Sequence, residues 1–273
     1  MRMIVPTFFA ILGLASHAYA ACSRAMLQDA AAAYLKALSI GQGGVEIASG
    51  ALNYTENDIP TDIKKGVLAE PITVDWSRSI YDSVQCATAT EINAASNKHP
   101  YVIVTRMLLA DGKIVSIDSV VADEGDWIFN ATAHLKYAKQ EKWDPIPEDK
   151  RDSRDVIKAA GDAYLDSWNN STVKVPFGTP CSRLEGGLYT GSANSTANNC
   201  RMPAFPEPFK IGHRRYTIDE ELGAVDILNG FPWIEKTKPT TFETPSTNFI
   251  RVEGGQIRYI HEDTVCQTKN CGR

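Results

Sequence analysis

Arg183-Leu184-Glu185 brings a guanidinium and a carboxylate together beside a cysteine. Residues two apart in an extended strand share a face. Arg183 and Glu185 then form either a donor–acid pair at a site or an ion pair that steadies a loop. Tyr259 and His261 share parity with Ile257, so one strand face carries Ile, Tyr and His. Such a face can line a cavity with His261 as a proton donor, or leave a histidine at the surface. Tyr54 and Tyr189, each followed by Thr, offer phenols that either donate to a ligand or fill a core. Arg106 interrupts the apolar run YVIVTRMLL, where a charge must find solvent, a partner or a polar pocket. Trp127 in GDWIFN can stack on a flat ligand or plug a core. Glu185 with Asp219 is the carboxylate pair that acid–base hydrolysis or elimination would need, although Asp219 and Glu220 also suit a hairpin turn.

Several chemistries lack their signatures. The sequence holds no G-x-S-x-G elbow, H-E-x-x-H helix, P-loop or dinucleotide fingerprint. His99, His134, His213 and His261 include no pair at helical metal spacing, so no metal and no cofactor are expected. The 273 residues are 43% hydrophobic and 22% charged, with a net charge of -5. That composition excludes collagen, coiled coil and wholesale disorder, and offers no basic surface for nucleic acid.

An internal repeat must position these residues. QDAAAAYLKAL at 28–38 and KAAGDAYLDSW at 158–168 share Ala-Tyr-Leu and helical apolar spacing. Tyr54-Thr55 and Tyr189-Thr190 follow as a second matched pair. Strand–turn–strand patterns then centre on Asp111-Gly112 and Gly254-Gly255, both strong hairpin signals. A further hairpin runs from Arg215–Asp219 through Glu220–Gly223 to Ala224–Leu228. Its first-half counterpart is read as CATATEINA against YVIVTRMLL, joined by Ala94–Pro100. Residues 140–155, QEKWDPIPEDKRDSRD, read as a linker. The fold class is therefore α+β: a tandem repeat of a helix on a curved antiparallel sheet, with units at 21–151 and 152–273.

Residues 1–20 read as a secretory leader, with Arg2, an apolar run from Ile4 and a small-x-small end at Ala20. A secreted, extracellular mature chain without a membrane span is expected. All six cysteines lie beyond the leader, and an even number in an oxidising compartment favours disulfides. Many pairings are possible. Local closure favours Cys181 with Cys200 and Cys266 with Cys271, leaving Cys22 with Cys86. Asn53, Asn130, Asn169, Asn170 and Asn194 are candidate glycosylation acceptors.

The segments ADGKIVSID at 110–118 and EGGQIRYIH at 253–261, in this order after the AYL helices, resemble the cone-shaped fold of SnoaL-like polyketide cyclases and nuclear-transport-factor-like domains. With GDWIFNA, PFGTPCSRLEGGLYTG and HRRYTIDEELGAVDIL, the mature chain resembles a secreted fungal family built from two such units. The resemblance implies kinship with pericyclases that join a tropolone o-quinone methide to a humulene-type sesquiterpene by hetero-Diels–Alder reaction. It implies a small apolar substrate, and no family motif matches residue by residue. From the residues, Arg183, Glu185 and His261 are the candidate catalysts; Tyr54, Arg106, Trp127, Tyr189 and Tyr259 are the candidate substrate contacts. A secreted binder or effector and a secreted lyase or hydrolase are the competing expectations, and a homodimer is a possible assembly.

Overall fold

A computed structural model describes residues 22–202, 207–232 and 243–271. The leader expected at 1–20 lies outside the described residues. The first unit runs α1 (Arg24–Ile40), β1 (Ala48–Glu56), β2 (Ile59–Pro60), β3 (Trp76–Asp82), β4 (Ala87–Ala94), β5 (Tyr101–Ala110) and β6 (Lys113–Ala122). A short α2 (Ala131–Ala138) and a connecting segment follow. The second unit runs α3 (Arg154–Asp166), β7 (Phe177–Glu185), β8 (Leu188–Tyr189), β9 (Gly212–Asp219), β10 (Ala224–Phe231), β11 (Thr244–Glu253) and β12 (Gln256–Thr264). Each unit makes a six-stranded sheet of the same order, β2-β1-β6-β5-β4-β3 and β8-β7-β12-β11-β10-β9. In both, the first long strand joins the last in parallel while the other neighbours are antiparallel. The α+β tandem repeat is therefore present.

The local chemistry explains the elements. Ser23 caps α1 by accepting from the Met26 N–H, and Ser153 caps α3 through the Val156 N–H. Asp111-Gly112 and Gly254-Gly255 all have positive φ, as a two-residue hairpin turn demands. One irregularity recurs at the same step of each long hairpin, between Leu108 and Leu109 and between Arg251 and Val252. The disulfides Cys22–Cys86, Cys181–Cys200 and Cys266–Cys271 all form, as local closure predicts.

Three parts of the sequence reading change. The counterpart of β9–β10 is β3–β4, not β4–β5, although β4 and β5 do pair. Tyr54 and Tyr189 are not repeat mates: Tyr54 on β1 occupies the register position that Arg183 holds on β7, and Tyr189 on β8 that of Pro60. The stretch at 140–155 is not a solvated linker throughout. Its Trp143 packs beside Phe249 and Tyr259 between the sheets, under the Arg78 guanidinium at 3.9 Å.

Each helix covers one face of its own sheet, enclosing a core that contains Tyr34 in the first unit and Tyr164 in the second. The opposite faces meet through Ile80, Ala89, Val104, Val120, Ala224, Leu228 and Phe249. At the edge of this contact two buried aspartates exchange roles. Asp82 holds Arg154 with both oxygens and accepts from the Ile218 N–H. Asp219 holds Arg24 and accepts from the Tyr81 N–H. Each aspartate thus ties down the first residue of the other unit's helix. Asp82→Ala strands Arg154 and several N–H groups, and is expected to cost about 3–5 kcal/mol. A urea midpoint unchanged in Asp82→Ala and Asp219→Ala would show that the clasps hold nothing.

Candidate functional site

The two interiors are an internal control, because the same register positions carry different chemistry. In the first unit, facing pairs are Ile92–Ile103, Ile103–Val121 and Thr105–Ser119. In the second, the same positions hold Asn229–Ser246, Ser246–Thr264 and Asn248–Glu262. Tyr54 gives way to Arg183, while Glu56 remains an acid as Glu185. In the first interior the matching polar groups satisfy one another: the Tyr34 hydroxyl pairs with Thr105 at 2.8 Å, and Thr105 with Ser119 at 2.8 Å. In the second, Glu262 Oε2, Asn229 Oδ1 and both amide atoms of Asn248 are buried without a hydrogen-bond partner, while the Tyr164 phenol and the Arg183 guanidinium lie against each other. Native interiors rarely leave such groups unmet; ordered water or a polar ligand is what meets them.

The site has an acid, a base and donors. Arg183 Nη1 lies 3.2 Å from Glu185 Oε2, and both side chains are buried. Glu262 faces Glu185 across the β7–β12 pair, and its Oε1 accepts from the Thr264 hydroxyl at 3.3 Å. Burial pushes the Glu262 carboxyl well above the usual carboxylate range; the neighbouring Glu185 adds to this and Arg183 opposes it. The shift favours the neutral form of Glu262. Burial also raises the Tyr164 phenol, with Arg183 acting against it, so Tyr164 remains a donor. The Trp127 indole donates to Glu185 Oε1 at 2.6 Å and caps this end of the interior from the segment between β6 and α2. That approach requires Gly186: its φ is +53°, and a Cβ there would lie 2.7 Å from the Trp127 and Ile128 carbonyl oxygens.

The expected residues divide among four places. Arg183, Glu185 and Trp127 meet in the second interior, with Glu262, Tyr164 and Asn248 as members that spacing did not reveal. His261 is next to Glu262 in sequence and so points to the other face, between the sheets, where its ring binds Glu91 at 2.5 Å and Glu141 at 2.7 Å. Those two carboxylates raise its pKa to about 10 against the opposing effect of burial, so it holds its proton and is not an exchanging acid near neutrality. Arg106 also lies on that face, donating to the Tyr216 carbonyl. Tyr54 bonds Glu56 in the first unit. Tyr189 and Tyr259 line a separate cleft of about 610 Å³ with Glu141, where Tyr189 stacks on Tyr137 at 4.7 Å. Asp219 is committed to the inter-unit clasp, so the acid that pairs with Glu185 is Glu262. All five candidate glycosylation asparagines are exposed, but Asn130 is also occupied as the side-chain cap of α2.

Residues 150–264 match the family profile of a domain of unknown function, DUF8021. The matched stretch contains α3 through β12, the unit with the polar interior. No curated protein matches the chain.

Proposed function

We propose that the second unit is the catalytic cavity of a secreted, cofactor-independent cyclase. The observation that carries the reading is the set of buried, unpartnered polar atoms around Arg183, Glu262 and Asn248, at positions where the first unit holds Tyr54, Ser119 and Thr105. The three disulfides fit an oxidising compartment, and among the described residues no helix is long and apolar enough to cross a membrane. The SnoaL-like resemblance of the sequence supplies the substrate class: a hydroxymethyl tropolone and a humulene-type sesquiterpene.

Glu262 donates its proton to the departing hydroxyl as the C–O bond breaks and water leaves. The ring hydroxyl loses its proton to carboxylate Glu185, and an o-quinone methide remains. Arg183 and Tyr164 donate to its carbonyl, lowering the acceptor orbital. The apolar wall of Ile227, Phe231 and Ile250 holds the terpene alkene near it. The cycloaddition then forms one C–C and one C–O bond with no atom gained or lost. Proton passage from Glu185 to Glu262 restores the pair.

Glu262→Gln keeps shape and removes the acid. With humulene and the quinone-methide precursor, the purified variant is expected to lose about 10²-fold or more in rate at unchanged circular dichroism. A product mixture identical to the uncatalysed one, with the wild-type protein present, sinks the reading.

A further inference from the structure

A second cluster lies on the far side of β12, between the sheets, and the proposed cyclase makes no use of it. Glu91 comes from β4, His134 from α2, His261 and Asp263 from β12, and Glu141 from the segment after α2. The Glu91, His134 and His261 side chains are at most 1% exposed, and their ligand atoms lie within 4.8 Å of one another. His134 Nε2 is 3.4 Å from Glu91 Oε1 and 3.7 Å from Asp263 Oδ2. Two ligands of one tetrahedral zinc ion stand about 3.4 Å apart, given metal–ligand bonds of about 2.0–2.1 Å.

The hydrogen bonding here is unbalanced toward acceptors. Glu91 Oε2, Glu141 Oε1 and both Asp263 oxygens are buried without a partner, as is His134 Nε2. Three carboxylates face the Arg78 guanidinium, 3.6 Å from Glu91 Oε2, and two imidazoles. Orphaned acceptors converging with an orphaned imidazole nitrogen are what a cation would satisfy. Outer partners of the right kind are also present. His261 Nε2 bonds Glu141, the carboxylate–histidine arrangement that orients a metal-bound imidazole.

We propose that Glu91, His134, His261 and Asp263 form a binding site for a divalent transition-metal cation of the zinc class, joining the two units at their centre. His134 and Asp263 are the ligands with least other employment, while His261 ligates through Nδ1 by separating from Glu91 and releasing the Nδ1 proton to solvent as the cation enters. Sequence spacing missed the site because its ligands come from three separate elements, β4, α2 and β12. The proposal is independent of the cyclase reading.

The test uses the mature, disulfide-bonded protein, stripped with a chelator, desalted and titrated with Zn²⁺. A His99→Ala/His213→Ala background removes the exposed histidines. One zinc per chain by elemental analysis is expected, with a melting temperature several degrees higher. Co²⁺ is expected to give visible bands of a four-coordinate ion. His134→Ala and the nearly isosteric Asp263→Asn should each abolish stoichiometric uptake and the thermal shift. Asp263→Asn keeps the test decisive if His134→Ala fails to fold. Absence of stoichiometric zinc in the background protein overturns the proposal, as does uptake that survives in Asp263→Asn.

Discussion

Arg183→Met should lower folding stability by about 3–5 kcal/mol at neutral pH, read from urea unfolding. Arg183 is 7% exposed, and its guanidinium faces two buried acids, Glu185 at 3.2 Å and Glu262 beside it. Without the cation, Glu185 is left buried with the Trp127 indole as its remaining hydrogen-bond donor among the described residues. The triple variant Arg183→Met/Glu185→Gln/Glu262→Gln removes the charges together, and should recover most of the loss. Recovery on that scale separates an uncompensated charge from lost packing, because the triple variant has the same methionine. A single variant within about 1 kcal/mol of wild type would show that the acids do not need Arg183. This measurement also bears on the proposed chemistry, since an ion pair so expensive to break holds its donors in place for a transition state.

Asp226→Asn should stabilise the protein at pH 8 and change it little at pH 5. Asp226 is fully buried between the sheets, accepts from the Thr247 hydroxyl, and lies in the field of Arg106, Arg215 and Glu91. Burial pushes its carboxyl up to about 7, against an ordinary value of 3.8. Between these values the folded chain keeps a proton that the unfolded chain has lost. Stability therefore falls as pH rises through this window, and the loss is complete above the folded value. Asparagine, which never ionises, should gain about 2–4 kcal/mol at pH 8. Asp126, pushed up to about 6 mainly by burial, adds a slope of the same sign. The wild-type protein should thus melt higher at pH 5 than at pH 8. Scanning calorimetry of both proteins across that range checks it, and parallel curves would count against a titrating Asp226.

The parts legible in the sequence were those fixed by local stereochemistry. Gly112 and Gly255 announce their turns because few other residues tolerate positive φ. The Ala-Tyr-Leu helices announce themselves by period, and short cysteine separations favour local closure. β3 did not show, because WSRSIYD is half-buried over most of its length and lacks a two-residue alternation. α2 is only eight residues long and carries a weak stripe. At the site, Arg183 with Glu185 was readable because one strand carries both. Glu262, Asn248 and His134 were not, since strand pairing and helix docking create their neighbourhoods. One signal was available: His261-Glu262-Asp263 are three consecutive ionisable residues inside a strand. On a strand that pattern puts charge on both faces. It requires two buried polar environments, one of which is the candidate catalytic interior and the other the candidate metal cage.

The reciprocal Asp82–Arg154 and Asp219–Arg24 clasps have the form of an isologous dimer contact enclosed within one chain. In a true homodimer every substitution appears twice, so an interior opened to polar groups opens in both copies and the stability cost doubles. Covalent joining removes that coupling. One copy keeps Ile92, Ile103 and Val121 as a closed core, while its mate carries Asn229, Ser246 and Thr264. Joining also sets the partner's local concentration independently of dilution. The first copy can then serve as a permanent scaffold, supplying Trp127 to the other's polar interior and Glu91 to the buried cluster between them. The symmetry of the frame is what permits the asymmetry of its contents.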